Sequence, residues 1–186
     1  MPRSGREARE RLVKAALDLF LERGFDAVTA AEIAVCAGVT ERTYFRHFPD
    51  KREVLFDGER WLTEWVTEAL ASVPADLSLW PAMRRTVDLV VPSLEANRPD
   101  SDRLAAIVAA TPALRERAAS KEARLVALIT DLLVGRGAPA DDAALVARTA
   151  WGVLAHAIAA WRGAPGTPLQ QHVDRGFTLL GGLVSA

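Results

Sequence analysis

Apolar residues recur along this chain at intervals of three and four and hardly anywhere at two. Leu12, Val13, Ala16, Leu17 and Phe20 form one stripe; Leu55, Leu62, Trp65, Val66 and Ala69 form a second; Leu125, Leu128, Ile129, Leu132 and Leu133 form a third. That period places each set on one face of an α-helix, and alternating β-branched runs are absent, so the chain reads as all-α. The pattern predicts nine helices, at about residues 5–23, 30–37, 41–47, 51–72, 79–96, 101–109, 112–134, 141–162 and 168–184. Their starts carry capping signals. Ser4-x-x-Glu7 and Thr29-x-x-Glu32 fit the capping box, and Asp50-x-x-Glu53 is an acidic variant of it. Thr111-Pro112 and Thr167-Pro168 set a cap before proline at the first helical position. Gly24 suits the end of the first helix, with Phe25 folding back onto it. Pro92 falls inside the fifth helix, where a kink or an early end is expected.

Composition divides the pattern in two. All the phenylalanines but Phe177, and the one tyrosine, precede residue 57; all five tryptophans follow it. A small Phe-pinned unit, residues 1–52, is therefore expected ahead of a larger Trp- and Ala-rich bundle, residues 53–186. The charge is also uneven. The formal net charge is −1, yet residues 1–52 hold ten Lys+Arg against eight Asp+Glu and the remainder thirteen against sixteen. A modestly basic front on a slightly acidic body suits a protein that offers one face to a polyanion. The longest nearly apolar run, residues 150–161, is too short for a bilayer and is interrupted by His156, so no membrane partner is expected. The N-terminus lacks the apolar stretch of a secretory signal, and the single Cys36 excludes an internal disulfide. Both point to the cytoplasm.

The second and third helices are joined by only Gly38-Val39-Thr40, which forces them to cross steeply. Ala34 then lies where they touch, Gly38 can supply the positive φ of the turn, Val39 fills the space beneath, and Tyr44 faces inward, followed by Phe48. This is what a helix-turn-helix requires sterically. Thr40 caps the third helix, whose outward face begins with Glu41, Arg42 and Thr43 and continues to Phe45, Arg46 and His47. The N-terminal residues of such a helix meet base edges in the major groove. Arg42 fits guanine, Thr43 offers a hydroxyl or a methyl, and Arg46, His47, Lys51, Thr29 and the free amides of the second helix suit phosphates.

Residues 9–56 resemble the DNA-binding domain of the TetR family of transcriptional regulators. The resemblance rests on Phe25-Asp26-Ala27-Val28-Thr29, Ile33-Ala34, Gly38-Val39 and Phe48-Pro49-x-Lys51 at fixed spacing. Residues 103–117 look like a stretch common in an actinobacterial subgroup of the same family. The resemblance implies a homodimer that binds a double-stranded operator through its N-terminal helices, with a C-terminal domain for a small effector. One position departs from the pattern. Many members have a phosphate-bonding tyrosine where this chain has Phe45, leaving the ring to pack against sugar or a thymine methyl.

Within the C-terminal bundle, Trp61, Trp65, Trp80, Met83 and Trp151 are candidate effector contacts, since such sites are mostly apolar and aromatic. Ala147, Leu154, Ala155 and Ile158 of the eighth helix, with Phe177 and Leu180 of the ninth, are candidates for an isologous four-helix dimer interface, unless they pack within their own subunit. His156 and His172 read as hydrogen-bonded core histidines and Cys36 as a small buried hydrophobe. No cofactor, metal or catalytic set is called for. The three histidines are far apart in sequence, and His-x3-His, Cys-x2-Cys, a Gly-rich phosphate loop and a nucleophile elbow are all missing. A small helical enzyme is thus the weaker alternative, beside a helical interaction module that has lost DNA binding.

Overall fold

The computed structural model describes the backbone of residues 3–184 and the side chains of residues 5–57 and 61–181. The described residues form nine α-helices and no strand: α1 (Arg3–Arg23), α2 (Ala30–Cys36), α3 (Glu41–His47), α4 (Asp57–Ser72), α5 (Leu79–Ala96), α6 (Arg98–Ala110), α7 (Pro112–Gly135), α8 (Ala140–Arg162) and α9 (Leu169–Val184). The fourth helix does not begin at residue 51. Asp50 accepts the amides of Arg52 and Glu53 at 2.7 and 3.1 Å, which winds Glu53–Phe56 into a short 3-10 turn ahead of α4. Glu53 does not close the capping box, because its carboxylate takes the Arg117 guanidinium at 2.6 and 2.8 Å. α1 is already helical at Arg3, and the side chain of Ser4, the expected cap, lies outside the described residues.

Two compact units divide the chain: residues up to Trp61 with Pro99–Ser120, and Leu62–Arg98 with the residues from Lys121 onward. Packing therefore does not follow a single cut at residue 52, since α6 and the start of α7 join the first unit. There Leu12, Phe20, Ile33, Tyr44, Phe48 and Val54 share one core with Ile107 and Leu114. Gly24, at φ 82°, turns the chain out of α1, and Phe25 folds back with its ring 5.0 Å from Phe20.

In the second unit, Leu70, Met83, Ile129, Leu133 and Ala147 form one cluster, and Val91, Leu154, Trp161, Val173 and Phe177 form another. Arg136 donates to the carbonyls of Leu70, Val73 and Pro74 at 2.6–3.2 Å, which satisfies the open C-terminus of α4. α9 begins at Leu169, not at Pro168, and its first amide is met by the Glu95 carboxylate of α5 at 2.6 Å. α5 continues past Pro92 to Ala96. By length and hydropathy α8 would also pass for a membrane span, but Ala143, Ala147, Ala150, Leu154 and Trp161 are buried in the unit's own core.

α9 approaches α8 closely at Gly176, where a β-carbon would meet Val153 Cγ1 at 2.7 Å. Gly176→Leu should therefore overpack this contact and lower unfolding stability by about 1–3 kcal/mol despite its better helix propensity. Urea unfolding checks it, and an unchanged midpoint would show that the two helices slide apart freely.

Candidate nucleic-acid interface

The helix-turn-helix is assembled by short-range bonds. Thr29 Oγ1 accepts the Glu32 amide at 3.2 Å, and the Thr29 amide and hydroxyl both donate to Glu32 Oε2 at 2.8 Å. These bonds, with Arg23 on Oε1 at 2.8 Å, hold the exposed Glu32 carboxyl down at about 2. The turn closes through Ala37 N–H to Ile33 O and Val39 N–H to Ala34 O, both at 2.9 Å, with Gly38 at φ 67°. Only a residue without a β-carbon adopts that angle without strain. Thr40 then caps α3 by accepting the Thr43 amide at 3.2 Å.

The inward side of α3 is anchored three ways. Tyr44 is fully buried; its hydroxyl donates to Asp50 O at 3.3 Å, and burial, then the nearby Asp50 charge, raise its pKa. Phe48 is buried with its ring 5.7 Å from that of Tyr44. Arg9 of α1 lies over the Phe48 ring at 4.4 Å, donates to His47 O at 3.1 Å and pairs with Asp57 at 2.6 Å. Arg9 was not among the expected site residues. A signal existed, because it continues the inward stripe of Phe20, Ala16 and Val13 toward the N-terminus, a place where an arginine needs a partner.

On the outward side, Glu41, Arg42, Phe45 and Arg46 are exposed and Thr43 is half-buried, its hydroxyl 3.0 Å from that of Thr40. Arg42, Phe45 and Arg46, spaced i, i+3 and i+4, share one stripe. Neither arginine makes a hydrogen bond or ion pair among the described residues.

Two of the expected phosphate ligands, Lys51 and Thr29, have partners within the fold, and a third, His47, is partly covered. Lys51 Nζ donates to Phe25 O at 2.7 Å and Val28 O at 2.9 Å and sits 4.1 Å over the Phe25 ring, so it staples the α1–α2 loop. His47 Nε2 is buried without a hydrogen-bond partner among the described residues. Burial, then Arg46 and Arg9, lower its pKa, which disfavours the charged form that would attract an anion. Thr29 spends its hydroxyl proton on Glu32. Cys36 is exposed, not buried, because Ile33, Ala34 and Ala37 take the inward positions around it.

In the second unit, an apolar cavity of about 20 Å³, the room of about one water, is lined by residues that include Val66, Met83, Val90, Ile129, Trp151 and Leu154. Thr86 is the one hydroxyl in its wall, and it donates to Ala82 O at 2.8 Å. Of the expected effector contacts, Met83 and Trp151 line it. Trp61 is 42% exposed and belongs to the first unit, Trp65 packs beside the cavity's cluster, and the Trp80 ring stacks 5.0 Å from Phe177.

The expected dimer stripe needs a similar correction. Ala147, Leu154 and Phe177 are buried inside their own unit, and Ala155, Ile158 and Leu180 are half-buried at its edge. The face that α8 and α9 leave open carries Leu145, Gly152, His156, Ala159, Thr178 and Leu179 instead, with Leu145 67% and Leu179 64% exposed. His156 is therefore no core histidine, and His172 is half-buried with Nε2 lacking a partner. Among the described residues no three His, Cys, Asp or Glu side chains gather as a metal site.

The same landmarks recur in known proteins. A family model described as "Bacterial regulatory proteins, tetR family" matches residues 12–57. The transcriptional regulator TcmR of Streptomyces glaucescens is 39% identical over 70 residues, 38% of this chain but only 31% of that protein. CymR of Pseudomonas putida, another such regulator, is 32% identical over 145 residues, 74% of this chain and 70% of CymR. The crystal structure of the Thermus thermophilus TetR-family repressor FadR, in complex with lauroyl-CoA, superposes with a TM-score of 0.58 at 25% identity, covering 92% of each chain.

Proposed function

The chain belongs to the TetR family of bacterial regulatory proteins, and from that premise we propose that it is a repressor released from its operator by a small effector. It is a transcriptional regulator with a helix-turn-helix DNA-binding domain. The observation that carries the DNA-binding role is the exposed Arg42–Phe45–Arg46 stripe on a helix whose opposite side is fixed by Tyr44, Phe48 and Arg9. Residues 1–52 supply DNA contact, with Glu41, Arg42 and Thr43 toward base edges and Thr40 and Arg46 toward phosphates. Lys51, His47 and Thr29 act by holding the loop and helices in place.

Residues 53–186 supply effector binding and dimerisation in a cytoplasmic homodimer. Two recognition helices about 34–36 Å apart would read a near-palindromic operator. The effector is small and largely apolar, in keeping with the cavity wall; the lauroyl chain of the lauroyl-CoA held by FadR is a precedent for an apolar group. Its binding opens the cavity and favours a dimer whose spacing no longer fits successive grooves, a coupling of about 1–3 kcal/mol.

The test is a fluorescence-anisotropy titration of the full chain against the DNA upstream of its own coding region. Affinity should fall by about tenfold or more between 50 and 200 mM salt, since Arg46 places one cation on a phosphate in each half-site. Undetectable or salt-insensitive binding sinks the reading. For the dimer, Leu179→Glu places a charge on the open face, where one sits unpaired in each copy of a two-fold contact. Analytical ultracentrifugation should then find monomers with unchanged helicity; a persistent dimer would move the interface elsewhere.

A further inference from the structure

The contact that Phe45 makes within the DNA-facing stripe is still open between deoxyribose and a thymine methyl. A single exposed aromatic is ordinary on a protein surface, but this one is placed with care. It is 49% exposed, in the middle of the Arg42–Arg46 stripe. Its ring meets Tyr44 edge-on, with centroids 5.4 Å apart and planes at 80°. Tyr44 itself cannot turn, being fully buried against Phe48 and bonded to Asp50 O. The exposed ring thus stands on a rigid base, on the same stripe as two arginines that lack partners among the described residues.

A benzyl ring neither donates to nor accepts from a phosphate or a base edge. In the major groove the one apolar group a base pair presents is the thymine 5-methyl. Burying ring and methyl against each other removes apolar surface from water on both sides, at no cost in unmade hydrogen bonds. Resting on the reading that α3 enters the major groove, we infer that Phe45 is a specificity-determining residue that reads thymine through its 5-methyl, beside the base pair that Arg42 contacts.

The experiment uses the full chain and the highest-affinity duplex it recovers from a random-sequence pool. Each thymine is replaced in turn by deoxyuridine, which removes the methyl and nothing else. One symmetry-related position should weaken wild-type binding about fourfold per half-site, the transfer value of one buried methyl. Phe45→Ala should weaken the unmodified duplex and lose that sensitivity, with less than about 1.5-fold between the two duplexes. Phe45→Leu, apolar but smaller, should keep part of it and guards against a misfolded alanine variant. Wild-type tolerance of deoxyuridine at every position overturns the inference, as does an equal penalty in wild type and Phe45→Ala. Weakening by Phe45→Ala without any deoxyuridine-sensitive position means that the ring packs on deoxyribose, and also overturns it. Failure to recover any duplex overturns the DNA-binding reading itself, and this inference with it.

Discussion

Arg42→Ala should weaken operator binding by roughly 30- to 20,000-fold, with the fold and the dimer intact. A bidentate guanine contact contributes about 1–3 kcal/mol of discrimination, and a two-fold symmetric complex loses two of them. Nothing in the fold depends on this side chain, which makes no hydrogen bond or ion pair among the described residues. The loss should be selective: a duplex with the contacted guanine replaced should bind wild type and variant alike. Arg46→Ala is the contrast. It removes a phosphate contact, so binding should fall by a similar factor on every duplex, and the slope of log affinity against log salt should shrink by about one unit per lost contact. Anisotropy on matched and mismatched duplexes separates the two. A uniform loss from Arg42→Ala would remove it from base reading.

Arg9→Met should lower the unfolding free energy by about 2–3 kcal/mol. The guanidinium is three-quarters buried and Asp57 more so, with side-chain exposures of 25% and 10%. Removing one partner leaves the Asp57 carboxylate largely out of water with its charge uncompensated, costing about 3–5 kcal/mol for a fully buried pair and less here. The bond to His47 O and the contact over Phe48 are lost as well. Since those contacts anchor the C-terminal end of α3, operator affinity should fall too, without any change in which bases are preferred. Adding Asp57→Asn should recover part of the stability, because the stranded charge is then gone. Urea unfolding of the single and double variants tests the chain of argument; a loss below about 0.5 kcal/mol in Arg9→Met would break it.

The caps and the turn of the helix-turn-helix were legible in the sequence because the bonds that form them are local. Thr29 reaches Glu32, Val39 reaches Ala34 and Thr40 reaches Thr43, all within five residues. The internal bonds of Lys51 were not legible for the opposite reason: the carbonyls it meets, Phe25 and Val28, lie 26 and 23 residues back, and a lysine near DNA-facing residues looks free until the loop is folded over it. The setting of His47 was hidden in the same way, since Arg9 of α1, 38 residues back, bonds its carbonyl and helps lower its pKa. On α8 the difficulty is different. Apolar and small residues occupy nearly its whole circumference, so periodicity could not tell the face holding Ala147 and Leu154 from the one holding Leu145 and Gly152. Small residues suggested an interface between copies, whereas here several of them let the chain's own helices approach.

The residues of α3 divide their labour: Tyr44 supports the fold from inside, while Arg42 and Arg46 make no hydrogen bond or ion pair among the described residues. A change at either arginine leaves the cap, the turn and the buried rings as they were. After a gene duplication, one copy could exchange its operator preference in single steps, each intermediate folding as well as its parent. New regulatory wiring would then be limited by what the DNA offers and not by the threshold of stability.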